Sequence, residues 1–139
     1  METIKNLQEL SELRQRIEIL ESKILKPQLT DLQHIPLLYN WFEVIANEIQ
    51  DFPGKDNTEY RQVFLYCILI LYCPRALADD FLIRGLRQSL AILFGLSPSH
   101  ISNLMKNLTF YYEKYTKFRG NCDVVLAEMQ FKVEMEGLK

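Results

Sequence analysis

Between Arg61 and Pro74 runs an uninterrupted apolar stretch, Val63–Cys73 (VFLYCILILYC). It is about half the ~20 residues that a membrane span requires. A helix that is apolar on every side must be enclosed by other elements. The run therefore predicts a central, buried helix with Thr58 as its N-cap, ending at Pro74. The rest of the chain can enclose it, because 139 residues with 48% hydrophobic content are enough to build a core and exclude a disordered chain. No segment alternates with period two for long, and Gly and Pro number only five each. The expected fold class is all-α, a compact bundle of about six helices.

The other helices follow from caps and periodicity. Leu10, Leu13, Ile17, Leu20 and Ile24 are spaced 3, 4, 3, 4, the a/d rhythm of a coiled coil, with Arg14, Arg16, Glu21 and Lys23 beside the seam. Ile4 and Leu7 lie off that seam, and Pro27 closes the helix. Two domains are expected: an N-terminal amphipathic helix over 1–26 and a helical domain over 27–139. Two readings of the first helix stand, a homodimerisation arm or a helix folded back on its own domain. A second helix should open near Pro36 and bury Leu38, Phe42, Ile45 and Ile49, with Trp41 beside that face. The composition of Asp51–Asn57 marks a loop. A fourth helix is expected over Asp79–Phe94. A fifth starts at Ser97–Pro98 and either runs to Arg119 or bends near Thr109. Gly120–Asn121 is expected to break the chain, and Asp123 to cap a last helix carrying Val125, Leu126, Met129 and Val133.

Arg87–Lys106 (RQSLAILFGLSPSHISNLMK) carries the most functional information. Two helices that cross steeply over a short turn need a small residue at the crossing, a glycine in the turn, and apolar contacts on both sides. Ala91 supplies the first. Gly95, four residues on, supplies the second, where a left-handed backbone favours glycine. Leu90, Leu96, Ile101 and Leu104 supply the third. Ser97 and Pro98 then start the second helix as N-cap and first helical residue. Its remaining positions, Ser99, His100, Ser102, Asn103, Lys106 and Asn107, are polar and face outward. Asn can pair with adenine and Ser with several base edges. No Arg stands among them to read guanine.

This segment, 20 of 139 residues, resembles the DNA-binding helix-turn-helix of bacterial and phage regulators. The wider stretch through Arg119 resembles small uncharacterised proteins of Bacteroides-type mobile elements, which share the arrangement before the turn, here Arg84, Gly85, Leu86 and Arg87. The resemblance implies a regulator or accessory factor that docks a helix in the major groove of double-stranded DNA. A winged variant would need a β-hairpin after the second helix, and Thr109–Arg119 reads as helix instead.

Bulk charge is silent, with 16 Lys+Arg against 18 Asp+Glu. Local charge is not. Arg75–Arg119 holds seven basic and three acidic residues, net +4, leaving −6 for the rest of the chain. Arg84, Arg87, Lys114, Lys117 and Arg119 are the expected phosphate contacts. Phe110, Tyr111, Tyr112, Tyr115 and Phe118 are read as core packing with hydroxyls at the rim, against the alternative of stacking on single-stranded bases.

Chemistry of other kinds is not expected. Cys67, Cys73 and Cys122 are an odd number without framework or zinc spacing and read as free thiols. No phosphate-binding glycine loop, nucleophile elbow or H-E-x-x-H occurs. Glu9, Glu12, Glu18 and Glu21 solvate a helix surface. The expectation is a cytoplasmic, non-enzymatic protein with no cofactor, no metal, no small-molecule substrate, no secretion signal and no membrane association. The competing expectation is a phage structural or adaptor protein in which the same turn is only architecture and the partners are proteins.

Overall fold

The apolar run forms α3 (Thr58–Tyr72), the axis of the molecule. A computed structural model describes the chain apart from Leu25 and Asp80 and the side chains of Glu21, Lys23 and Ile24. Asn57, not Thr58, caps α3: its side-chain oxygen accepts the Glu59 N–H at 2.9 Å. Asn binds a first-turn amide as well as Thr does, so the cap moved by one residue without changing the helix. Val63, Phe64, Leu65, Cys67, Ile68 and Leu71 are wholly buried. Full burial of each such side chain contributes about 1.5–3 kcal/mol of hydrophobic stabilisation. At Pro74 the chain leaves α3 for a 3-10 turn, Pro74–Leu77.

Six further α-helices are α1 (Glu2–Ile24), α2 (Ile35–Glu48), α4 (Leu86–Phe94), α5 (Pro98–Met105), α6 (Leu108–Lys114) and α7 (Thr116–Glu136). The described residues contain no β-strand, so no wing follows α5. α3 packs against α7, α5 and α2, and α4 packs against α5 and α2. Of the face expected to be buried on α2, Leu38, Phe42 and Ile45 are inside, whereas Ile49 lies just past the helix end, extended and half-buried. An aromatic cluster joins α2, α3 and α4, with Phe64 5.2 Å from Phe42 and 5.9 Å from Phe94 between ring centres. The segment before α2 is strapped to the end of α3. The Gln28 and Leu29 amides both donate to the Leu71 carbonyl at 3.0 Å, and the Tyr72 hydroxyl donates to the Asp31 carbonyl at 2.7 Å.

Three boundaries differ from expectation. The fourth helix starts at Leu86 rather than Asp79, because Asp79 accepts the Phe81 amide at 2.8 Å in a tight turn and Gly85 then adopts φ +88°. The fifth stops at Met105. The last helix does not break at Gly120–Asn121, and Asp123 lies inside it rather than at its cap. Phe118, Asn121, Cys122 and Val125 are buried there, which holds the helix through the glycine. The break falls at Tyr115, in an extended conformation.

α1 has a different environment. Every side chain from Met1 to Leu20 is exposed, and none of these residues belongs to the core. Of the expected seam, Leu10 is 43% exposed and Leu13, Ile17 and Leu20 are each 53% exposed. The side chain of Ile24 lies outside the described residues. The reading of α1 as a helix folded onto its own domain does not hold for the seam residues described.

Candidate nucleic-acid interface

α4 and α5 are joined by a turn whose geometry follows from one residue. Gly95 has φ +64° and ψ +35°, a left-handed conformation that costs an L side chain about 1–2 kcal/mol. It lets the Leu96 amide reach back to the Ala91 carbonyl at 3.0 Å, and the Gly95 amide to Ile92 at 3.3 Å. These two bonds close the end of α4 as a Schellman motif. The chain then extends through Ser97, whose hydroxyl oxygen accepts the His100 amide at 3.1 Å, with Pro98 in the first turn of α5. Leu90, Ala91, Ile101 and Leu104 are buried and Leu96 is half-buried. The six residues expected to hold the turn are thus at the α4–α5 junction or in the core beneath it.

The outer face of α5 is polar. Ser99, His100, Asn103 and Lys106 are exposed, and Ser102 is half-buried. Asn107 is exposed but not on the helix. Lys106 has already turned to an extended conformation, and Asn107 sits at φ +68°, leading into α6. The second helix expected over Pro98–Asn107 is therefore shorter. The Gln62 amide fixes its end by donating to the Leu104 carbonyl at 3.2 Å.

An open groove of about 700 Å³ lies where α4 starts, α5 ends and α6 begins. Arg87, Ser102, Lys106 and Asn107 line it together, across a floor that includes Leu69, Leu82 and Leu108. Arg84 is exposed next to the N-terminus of α4, where Gly85 offers no side-chain cap. Asp79 also faces the groove, but Arg75 holds it at 3.1 Å. The Phe81 amide, and then that guanidinium, keep the Asp79 carboxyl below its usual pKa.

The expected phosphate set divides. Arg87 lies in the groove, beside Lys106 of the outward-facing polar set. Lys117 lines a second one of about 430 Å³, with Gln62, Tyr111, Tyr115 and Phe118. Lys114 lies 5.2 Å from the Phe110 ring, and Arg119 is half-buried. The aromatics divide too. Phe118 is buried, and Tyr112 stacks on Tyr66 at 5.0 Å while its hydroxyl donates to Asp123 at 2.7 Å. Phe110 and Tyr115 remain half in solvent, 50% and 51% exposed. Thr109 and Phe110 also line the first groove, and the Thr109 hydroxyl donates to the Leu77 carbonyl at 2.9 Å. Only their position after the left-handed Asn107 puts them there, so no local motif marks them.

Among the described residues no group of three or more His, Cys, Asp or Glu is placed to hold a metal ion. No described helix is long and apolar enough to cross a membrane. Compared with protein-family models, curated proteins and solved structures, the chain has no match.

Proposed function

We propose that α4 and α5 form a helix-turn-helix that docks α5 in the major groove of double-stranded DNA, and that the protein is a transcriptional regulator or an accessory factor of a mobile element or phage. One observation carries this reading. α5 buries Ile101 and Leu104 against its neighbours and leaves Ser99, His100 and Asn103 exposed on its opposite face, with Lys106 exposed at its C-cap. Ser99, His100, Ser102 and Asn103 then face base edges, and Asn103 is the adenine reader. Arg84, Arg87 and Lys106 hold phosphates, helped by the uncapped N-terminus of α4 beside them. Asn107 approaches the backbone from the turn rather than a base. Lys114, Lys117 and Arg119 lie beyond α5 and make secondary contacts. No step of chemistry is assigned to any of these groups.

Selection from random-sequence duplexes by the purified protein tests the reading. An enriched motif is expected. Its affinity should fall with salt at a slope of about −2.7 in log–log form per bound chain, for three phosphate contacts. Lys106→Ala should weaken all duplexes alike and flatten that slope by about 1. Asn103→Ala should cost about 1–3 kcal/mol on the enriched motif and little elsewhere. No enriched motif, together with salt-independent association, would replace this reading with that of a protein-binding adaptor. Ile92, 72% exposed on α4, favours that alternative.

A further inference from the structure

The described seam residues of α1, Leu10, Leu13, Ile17 and Leu20, are exposed and have no place in the core. We infer that α1 pairs with the α1 of a second copy as a parallel, in-register coiled coil.

The seam places Leu10, Ile17 and Ile24 at a positions and Leu13 and Leu20 at d positions. Two of the three a residues, Ile17 and Ile24, are β-branched, and β-branched residues at a with Leu at d favour two parallel strands. Charge favours the same arrangement. Glu9 and Arg16 fall at g, and Arg14 and Glu21 at e. In a parallel pair each g residue faces the e residue five positions later on the partner helix. Glu9 then meets Arg14, and Arg16 meets Glu21. The two-fold axis doubles these into four opposite-charge pairs with no like-charge pair.

The antiparallel alternative that sets Leu10 against Leu20 and Leu13 against Ile17 leaves Ile24 opposite Asn6. It brings Arg14 against its own copy and Arg16 against its own copy at the centre of the coil. Two Glu9–Lys23 pairs offset those repulsions, so the balance is near zero rather than four attractions. The steps of three at Ile4 and Leu7 leave the seam and confine the coil to about two heptads.

A parallel pair releases both chains from the same end, near Lys26. Two domains then hang side by side about one axis. This pairing does not depend on the DNA reading. Where both hold, the target is an inverted repeat.

The full chain in analytical sedimentation tests the pairing without DNA. A mass near twice 16.4 kDa is expected. Glu9→Arg with Glu21→Arg makes the four paired flank positions basic, and Arg14→Glu with Arg16→Glu makes the same four positions acidic. Each variant alone should dimerise roughly tenfold or more weakly, and an equimolar mixture should form a heterodimer. Orientation is read from Glu2→Cys labelled with pyrene. The three native cysteines are buried, which leaves the new thiol as the reactive one. A parallel dimer gives excimer emission, whereas an antiparallel one holds the labels about 35 Å apart, a helix length. A monomer at all concentrations up to about 0.1 mM, self-association unchanged in both variants, or a dimer without excimer would each overturn the proposal.

Discussion

At Gly95 and Gly120 one residue type has opposite roles, and the backbone decides which. Gly95 needs φ +64°, although a Cβ there would meet no atom within 4 Å. Gly95→Ala should therefore destabilise the fold through backbone strain alone, by about 1 kcal/mol. Gly120 lies within α7, also with open space around it. Gly120→Ala should stabilise by about 0.5–1 kcal/mol, because glycine loses more chain entropy on entering a helix. Urea unfolding of the two variants beside the parent checks both signs. The role of Gly95 was legible from its spacing to Ala91, Ile101 and Leu104. That of Gly120 was not. A Gly-Asn pair looks like a break until Phe118, Cys122 and Val125 are seen buried on either side of it.

At the scale of elements, the helices with strong local signals formed where expected. α2 opens at its proline, α3 follows its apolar run, and α5 begins at Ser97–Pro98. Misplaced boundaries lie where local signals are weak. Asp79–Arg84 has helix-compatible composition, yet the Asp79 side chain competes for the Phe81 amide and holds a turn. Tyr115 carries no breaker signal at all. α1 shows the converse case, an element whose periodicity was plain and whose environment was not. Its side chains from Met1 to Leu20 contribute nothing to the core. Deleting residues 1–24 should leave the thermal midpoint of the remaining domain within a few degrees of the parent at low concentration. A large fall in that midpoint, by circular dichroism, would show that α1 supports the domain.

Across the whole molecule, buried tyrosines tie stability to pH. Tyr60, Tyr66 and Tyr72 are 4%, 8% and 1% exposed and stand on three turns of α3. Burial, helped by the neighbouring Tyr39, pushes the Tyr60 phenol up to about 12. Burial likewise raises Tyr66, reinforced by Tyr112, and Tyr72, reinforced by Asp31. A folded pKa above the unfolded value favours the folded state fully below the unfolded pKa. That contribution is lost as the unfolded chain ionises and the pH climbs toward the folded value. Stability should thus be insensitive to these groups below pH ~10 and fall between about 10 and 12. Phenolate absorbance should show Tyr60, Tyr66 and Tyr72 titrating above the ordinary phenol value of about 10. Titration of Tyr60, Tyr66 and Tyr72 at the ordinary phenol value in the folded protein would contradict their burial.

The sequence alone determined the helical class, the central helix, the proline start of α2, the Ser97 cap of α5, the glycine turn and the heptad rhythm of α1. Each is written in neighbouring residues, through periodicity, backbone conformation and short-range hydrogen bonds. Only the tertiary structure decided that Arg87 and Lys106 share a groove, that Lys117 lies in another, that α7 runs unbroken and that Leu10, Leu13, Ile17 and Leu20 of the α1 seam are uncovered. Those facts depend on residues far apart in the chain being brought together by the burial of α3. Contacts of that range leave no local trace from which spacing could recover them.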